Sequence, residues 1–436
     1  MKRAPLLLLI PMAAAVAQQN SSRQIDYGFE QRVRNENWNN LFDYNDNLDD
    51  QRAQIRWRTR IWMRAPLGSD IDISVGLTQE TTQIFIQRAP WRFDEVMVET
   101  AHIDFKKLFT KGLTLRIGRQ NLIKNEGFLF LEGSPGDGSR TIFTTAAVLG
   151  YTWKKSKLEG IGILNPRQDR MLPQIHDRHK AILDWNQSSA GVYYTDNNLK
   201  RTSLESYYFY TKETGDRRSP TNFQFRPDRH VHTAGGRVVQ KFDQGWSVTG
   251  EFAGQWGAFH GGGTLRGWGG YSYLKRTFGA KSQHYVQGGY WGMSGDDPAT
   301  KNTNEDWDPL YSRWPKWSEL YIYSQFRERA PSFWTNTALW HAELLYTPIK
   351  PLNVRLTYYK MDAFHPFPWG DARIFSSGTF RGHMPQIRAD FALNKQLTGH
   401  VLWEYMKTGN FYVNRTQAYF LRFELIYRYT GSRKLQ

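Results

Sequence analysis

The sequence predicts an all-β protein, a single transmembrane antiparallel β-barrel of about 18 strands with short periplasmic turns and long extracellular loops. Strand-like alternation of polar and apolar residues predicts this fold. So do connections that alternate between short and long, and an aromatic content of 15%. Tyrosine and tryptophan are favoured at membrane interfaces, where one end of a side chain is apolar and the other is wet.

The clearest alternation occurs in residues 55–63. Arg56, Arg58 and Arg60 fall on one face of the segment, and Thr59 falls on the other face among apolar residues. A helix would spread these charges around all its sides, whereas a strand separates the two faces. The same pattern predicts strand centres at Tyr27, Arg58, Val75, Ile103, Ile117, Leu149, Ile161, Val192, Tyr207, Arg237, Thr249, Trp268, Gln287, Leu344, Leu356, Ala389, Trp403 and Phe423.

The connections between these centres alternate in length. Short links are predicted at residues 66–69, 110–112, 154–156, 243–245, 279–281 and 348–350. Long links are predicted at residues 36–50, 121–140, 165–185, 294–336 and 363–385. Short turns inside and long loops outside are typical of outer-membrane barrels. The longest link, 294–336, is expected to fold over the outer mouth as a lid, packed by Trp307, Tyr311, Trp314, Trp317 and Tyr321.

Residues 1–17 are predicted to be a signal peptide. Lys2 and Arg3 precede an apolar run that is too short to span a bilayer as a helix, and cleavage is expected near Ala17. Residues 18–436 are then one barrel domain in the outer membrane of a Gram-negative-type cell.

The charge balance restricts the partners. Lysine plus arginine exceeds aspartate plus glutamate by 57 − 41 = 16, and removal of Lys2 and Arg3 leaves +14. An exported chain of this charge is expected to meet anionic solutes, anionic polymers or lipopolysaccharide phosphates rather than nucleic acid. The absence of cysteine excludes disulfides and thiolate metal sites.

The polar faces of the strands predict a charged lumen. Its cationic residues are Arg56, Arg58, Arg60, Lys106, Arg116, Arg237, Arg355, Arg388, Arg422 and Arg428, and its acidic residues are Asp26, Glu30, Asp72, Asp104, Asp390, Glu404 and Glu424. Rings of arginine and lysine select anions in pores. The alternative is that these charges pair across strands only to satisfy one another. Because Asp26 and Glu30 are too few to neutralise three arginines of one strand, a net positive field is expected.

Enzymatic and metal-binding motifs are weak. No Gly-x-Ser-x-Gly elbow is present, and His176 and His179 lack an evident third ligand. The oxygen-rich segment 294–308 could hold calcium, but a solvated acidic loop is the favoured interpretation because the spaced ligand pattern of a calcium loop is missing. The sequence therefore predicts a non-enzymatic protein without cofactor or metal.

A family resemblance follows from residues 115–122, Leu-Arg-Ile-Gly-Arg-Gln-Asn-Leu. This segment resembles the Leu-Arg-x-Gly-Arg-Gln signature of the alginate export family. Residues 291–298 and 308–311 are similar to a Ser-Gly-Asp-Asp strand end and a Pro-Leu-aromatic element of that family. The resemblance implies an eighteen-stranded barrel whose arginine-lined channel passes an anionic uronate polymer, with Arg116 and Arg119 on the motif.

Two other functions remain open at this stage. One is a general or small-anion uptake porin, including a phosphate-selective type, and the other is a barrel enzyme acting on lipid or polysaccharide. The expected partners are outer-membrane lipid and lipopolysaccharide, an anionic polysaccharide or small anions, and periplasmic export or synthesis machinery.

Overall fold

The computed structural model describes residues 24–93, 96–132, 144–169, 172, 185–215, 228–280, 283–313, 316–329 and 332–435. The predicted signal peptide lies outside these residues, as do His176 and His179. The signal peptide and its cleavage near Ala17 therefore stay predictions.

Within the described residues, eighteen strands form the wall of a closed barrel. They are β1 Gln24–Asn39, β2 Arg52–Pro66, β3 Ile71–Ile86, β4 Met97–Phe105, β5 Leu113–Gln120, β6 Thr144–Trp153, β7 Ser156–Asn165, β8 Asn186–Asp196, β9 Thr202–Thr214, β10 Arg229–Lys241, β11 Trp246–Phe259, β12 Thr264–Phe278, β13 His284–Met293, β14 Thr337–Ile349, β15 Leu352–Asp362, β16 Phe380–Ala392, β17 Leu397–Thr408 and β18 Gln417–Lys434. Each strand pairs antiparallel with its neighbours. The ring closes because β1 pairs with β18.

Small elements accompany the wall. The strand Ala89–Phe93 extends the sheet beside β3, Thr303–Asn304 runs parallel to β12, and Leu122–Ile123 pairs with Leu131–Glu132. The helical elements are Asp243–Gly245, Tyr321–Ser324 and Gln325–Arg327. None of the helices in the described part of the chain is long and apolar enough to cross a membrane.

The predicted barrel is confirmed, and every predicted strand centre falls inside a strand. The alternation of connections is also present, from the two-residue turn at 154–155 to the long loop at 294–336. Two predicted loops are shorter than expected. β1 continues to Asn39 because Trp38 still pairs with Arg52, and β16 already begins at Phe380 because that residue pairs with Asp362.

The two faces of the strands have the expected chemistry. In β2, Arg56 and Arg58 are buried inside the barrel, whereas Ile61 and Met63 are exposed on the outer face. An outward apolar band of this kind is what a bilayer requires.

Aromatic residues mark both ends of the barrel, as in membrane barrels generally. Beside the turn at 154–155, the rings of Tyr151 and Trp153 stack at 5.7 Å, and those of Trp153 and Tyr194 at 6.0 Å. At the opposite end, beside the loop between β9 and β10, Tyr210 and Trp256 are exposed on the outer face. These positions fit the aromatic belts that sit at membrane interfaces.

The interior is filled from the extracellular side by the connections that precede β6 and β14. Trp307, Tyr311 and Tyr321 are almost fully buried, and Trp317 is 8% exposed. These four residues pack as the sequence predicts, whereas Trp314 lies outside the described residues. The loop differs from the predicted lid in one respect: it descends into the barrel, where it contacts inward-facing side chains, instead of lying across the mouth.

Candidate functional site

The inner face of β1 and β2 carries arginines directly opposite one another. Arg32 is the Cα partner of Arg58, and Arg34 is the partner of Arg56. Like charges placed opposite each other destabilise a sheet unless a carboxylate intervenes. Glu80 of β3 intervenes: it accepts a hydrogen bond of 3.2 Å from Arg32 and one of 3.0 Å from Arg56. The arginines are therefore held in place by acids from the adjoining strand.

Two further glutamates complete this arginine–glutamate ladder on β18, β1, β2 and β3. Glu36 lies 3.0 Å from a guanidinium nitrogen of Arg56 and 2.7 Å from one of Arg422. Glu424 accepts a hydrogen bond from Arg34, and its carboxylate lies 3.2 Å from Nδ1 of His400. All these side chains are at least nine-tenths buried. Removing one partner of such a buried pair leaves an uncompensated charge, which is strongly destabilising.

Two further arginines of β2, Arg58 and Arg60, are also paired. Glu30 accepts from Arg58 at 2.9 Å and from Arg60 at 3.3 Å, and it lies 2.7 Å from Arg428. Arg60 makes a second pair with Glu99 of β4.

The other predicted cationic residues are distributed around the wall. Their carboxylate partners and distances are Lys106 with Asp72 at 2.7 Å, Arg237 with Glu205 at 3.0 Å, Arg355 with Glu343 at 3.9 Å and Arg388 with Asp390 at 2.8 Å. The expected field cannot therefore come from Arg56, Arg58 and Arg60 as unpaired charges, because they pair with Glu36, Glu80 and Glu99 in addition to Glu30. An excess of positive charge stays a prediction.

The alternation of side chains between the two faces of β5 is interrupted between the motif residues Arg116 and Arg119. On a regular strand, residues three apart face opposite sides. Gly118 adopts φ of +125°, a conformation that favours glycine, and a Cβ there would lie 2.2 Å from the carbonyl oxygen of Ala101. Arg116 pairs with Asp104, and the buried Arg119 donates to both oxygens of Asp169 at 2.5 and 2.7 Å. In this chain the motif thus ties β5 to the connection that follows β7.

The sequence prediction missed several charged residues in and beside the ladder. Arg32, Arg34 and Glu80 have the same parity as Glu30 and Asp72 on their strands, so alternation could have located them. Glu99 could not be found this way. It lies where the β3–β4 register shifts from Gly76↔Thr100 to Leu77↔Val98, and a bulge of this kind turns one side chain away from the regular pattern.

A cavity of 390 Å³ lies beside the ladder inside the barrel. The cationic residues that line it are Arg32, Arg34, Arg58, Lys316, Arg355, Arg388 and Arg428, and the carboxylates are Glu319, Glu343, Asp390, Glu404 and Glu424. Seven cations therefore face five carboxylates. Three of the arginines are accessible enough to meet a solute, with exposed side-chain fractions of 30% for Arg428, 34% for Arg388 and 39% for Arg355, and Lys316 is also partly exposed.

One wall of this cavity belongs to the loop between β13 and β14. Glu404 of β17 accepts hydrogen bonds from the Ser318 hydroxyl at 2.8 Å and from the backbone N–H of Leu320 at 2.6 Å. Glu319 lies 2.9 Å from Arg422 of the ladder. The loop is therefore attached to inward-facing charges of the last two strands.

A second attachment lies nearer the extracellular end. Arg381 of β16 is fully buried and donates to both oxygens of Glu328 at 2.7 Å. Its guanidinium also lies 4.0 Å from the centroid of the Phe411 ring. A bidentate pair with a cation–π contact fixes both partners.

The oxygen-rich segment 294–308 uses its carboxylates within the protein. Asp306 pairs with Arg329 and accepts from the Thr335 hydroxyl, whereas Asp296 accepts from the backbone N–H of Glu305. Across the described ranges, no three His, Asp or Glu side chains are grouped so that they could hold a metal ion.

The barrel resembles outer-membrane proteins of Pseudomonas aeruginosa. The outer membrane protein OpdK matches with a TM-score of 0.59 and 10% identity over 93% of this chain and 99% of its own. OccK2 (OpdF), solved in complex with glucuronate, matches with 0.57 and 10% over 93% and 98%. OccK7 (OpdD) matches with 0.55 and 12% over 94% and 99%. At such identities the similarity establishes the fold alone.

Sequence comparison adds the family. No curated protein matches the chain. The family model described as alginate export matches residues 23–423, nearly the whole chain. Together with the barrel fold, this match identifies an outer-membrane channel. The chain is a member of the alginate export family.

Proposed function

We propose that this protein is an anion-favouring outer-membrane channel that exports an alginate-like polysaccharide. The observation that carries the proposal is the cavity beside the ladder, where seven cationic side chains meet five carboxylates. A uronate polymer brings one carboxylate per sugar unit, and rings of cationic side chains are how pores favour anions. The excess of 16 positive charges over the whole chain supports the same sign of selectivity.

Ion pairing does not prevent the arginines from serving a passing anion. A guanidinium has five N–H donors, and one carboxylate occupies at most two of them. Arg355, Arg388 and Arg428 are about one-third exposed and paired to carboxylates at 3.9, 2.8 and 2.7 Å. Their carboxylate partners orient these groups, and the remaining donors can bind a solute.

A second candidate is the uptake of small anions. The cavity of 390 Å³ is small for a polymer, because the descended loop fills much of the barrel. OccK2 was solved with glucuronate and OpdK with vanillate, both of them small carboxylates. Since identity to these proteins is 10%, their ligands suggest an experiment for this chain and no more.

Planar bilayers with purified protein separate these functions. In a potassium chloride gradient the reversal potential should indicate a preference for chloride, and a cation preference would overturn the proposal. Polyuronate should block the current, whereas a neutral polysaccharide of equal length should not. Block by monomeric glucuronate without any block by the polymer would favour the uptake porin.

A barrel enzyme is the third possibility, and family membership argues for a channel instead. Release of fatty acids or sugars from lipid or polysaccharide by the purified protein would contradict the channel proposal. We also propose that lipopolysaccharide phosphates and periplasmic synthesis or export machinery are partners. Cross-linking of this protein in intact cells, to lipopolysaccharide and to periplasmic proteins, tests both proposed partners.

A further inference from the structure

The cations that line the cavity fall into two groups. Within the described ranges, Arg32, Arg34, Arg58, Arg355, Arg388 and Arg428 each have a carboxylate partner. Lys316 has none. At each of these arginines an internal carboxylate already occupies some of the donors and offsets the charge, whereas the charge of the lysine is not offset by a paired carboxylate of the described residues.

The loop holds Lys316 at the cavity wall through its neighbours. Trp317 is wedged between Trp291 and Trp334, with ring centroids 4.9 and 4.4 Å away. Ser318 is hydrogen-bonded to Glu404 of β17. Two residues that immediately follow Lys316 are therefore fixed, and the lysine backbone cannot swing freely.

The ammonium group rests on aromatic rings. Its nitrogen lies 5.5 Å from the ring centroid of Phe128 and 5.5 Å from that of Trp317. Such contacts attract a cation without neutralising it. Burial lowers the pKa of Lys316 to about 7, an effect that the more distant Glu251 and Glu126 oppose. Only part of the water shell remains around this charge, so an incoming carboxylate would interact with it more strongly than in bulk water.

We propose that Lys316 forms a carboxylate-binding site on the inserted loop, at which one uronate unit of the transported anion is held. This site rests on the proposed anion channel, in which Lys316 would be the residue that discriminates among anions. The partly exposed guanidinium groups of Arg355 on β15 and Arg388 on β16 line the same cavity and would also contact a bound uronate. A compact ammonium suits a single carboxylate oxygen, whereas the flanking arginines suit bidentate contacts.

The test compares Lys316→Gln with Lys275→Gln in single-channel recordings. Lys275 is a matched control because it also lies on the inner face and rests on a ring, 3.7 Å from the centroid of Tyr285, but does not line the cavity. Glucuronate block should weaken about tenfold in Lys316→Gln, the equivalent of 1.4 kcal/mol. It should change less than about twofold in Lys275→Gln, whose charge acts only through the screened field.

Two additional variants keep the result interpretable. Lys316→Met retains the apolar stem in case the glutamine variant folds poorly, and it should lose block equally. Lys316→Arg should retain block. Unchanged block in both Lys316→Gln and Lys316→Met, with a wild type that is anion-selective and blocked by glucuronate, would overturn the lysine site and leave the channel proposal standing. A wild type that prefers cations would overturn both proposals, whereas an anion-selective wild type that glucuronate does not block would overturn the lysine site alone.

Discussion

Charged side chains are held in different ways in the ladder and in the wall of the cavity that the loop forms. In the ladder, Arg32, Arg34 and Arg56 come from strands and share carboxylates that strands also supply. In the wall, Lys316 comes from a connection and relies on the packing of Trp317. The strand-borne charges of the ladder are spaced by the pleat and neutralised by neighbouring strands, whereas the loop-borne Lys316 has no carboxylate partner among the described residues. We infer that the ladder stabilises the barrel and that the loop adjusts its selectivity.

Removing a shared acid from the ladder should have the largest effect. Glu80→Ala leaves Arg32 and Arg56 facing like charges inside the barrel, and we expect the free energy of unfolding in lipid to fall by about 3–5 kcal/mol. Asp390→Asn is the matched control. Its partner Arg388 is 34% exposed, so the loss should stay below about 1 kcal/mol. Equal losses would show that burial does not separate the two pairs.

Deleting residues 297–331 should alter the current more than the fold. No wall strand is removed, so the heat-modifiable gel shift and the β-type circular dichroism spectrum should remain. Conductance should rise at least about twofold, because barrels of this size leave an aqueous channel when no loop fills them. Conductance and polymer passage that both stay unchanged would exclude a gating role for the loop.

Neutralising exposed lumen arginines should reduce selectivity at little cost in stability. Arg388→Gln should lower the chloride-to-potassium permeability ratio, whereas its unfolding free energy should change by less than about 1 kcal/mol. The triple change of Arg56, Arg58 and Arg60 to Gln should also erode chloride preference, but with a large loss of stability. Buried Glu99 then loses Arg60, and Glu30, Glu36 and Glu80 each lose one of the arginines that they pair with. Selectivity that survives both changes would show that Arg56, Arg58, Arg60 and Arg388 do not determine it.

The smallest expected effect concerns pH. Lys316 is charged below its pKa of about 7 and neutral above it, so glucuronate block should weaken between about pH 6 and 8. Other titratable and charged groups surround the same cavity or the same lysine, and Lys316→Arg leaves them unaltered. They are Glu126, Glu251, Glu343, Glu404, Arg355, Arg388 and His400. Only the part of the pH dependence that this variant abolishes therefore belongs to the lysine. Identical profiles in the two proteins would contradict the assignment.

The sequence predicted the wall well because the signal for each strand is local. Alternation placed a centre in each of the eighteen strands, and it placed Arg56, Arg58 and Glu30 on one face. It failed where the backbone leaves the regular pleat, as at the bulge that carries Glu99 and at Gly118 before Arg119. Glu99 and Arg119 face the interior although alternation places them on the outer face, and their residue types alone do not indicate this.

The interior was predictable only in part. Aromatic content showed that residues 294–336 would pack, but not that the segment would enter the barrel. Its anchors, such as Arg381 with Glu328 and Glu404 with Leu320, join residues 53 and 84 positions apart. Pairings of this range leave no periodic signal in the chain. For the same reason Lys316 could not be distinguished from other loop lysines.

The position of the ladder has a consequence for assembly. Its pairs of Arg34 with Glu424 and of Glu36 with Arg422 bridge the first and last strands, which meet only when the ring closes. A slip of one residue at this seam would turn every side chain of β18 to the opposite face. Guanidinium and carboxylate groups would then point into hydrocarbon, where charges are costly. The buried charges thus disfavour one-residue slips where β1 and β18 join in lipid, in addition to stabilising the closed ring.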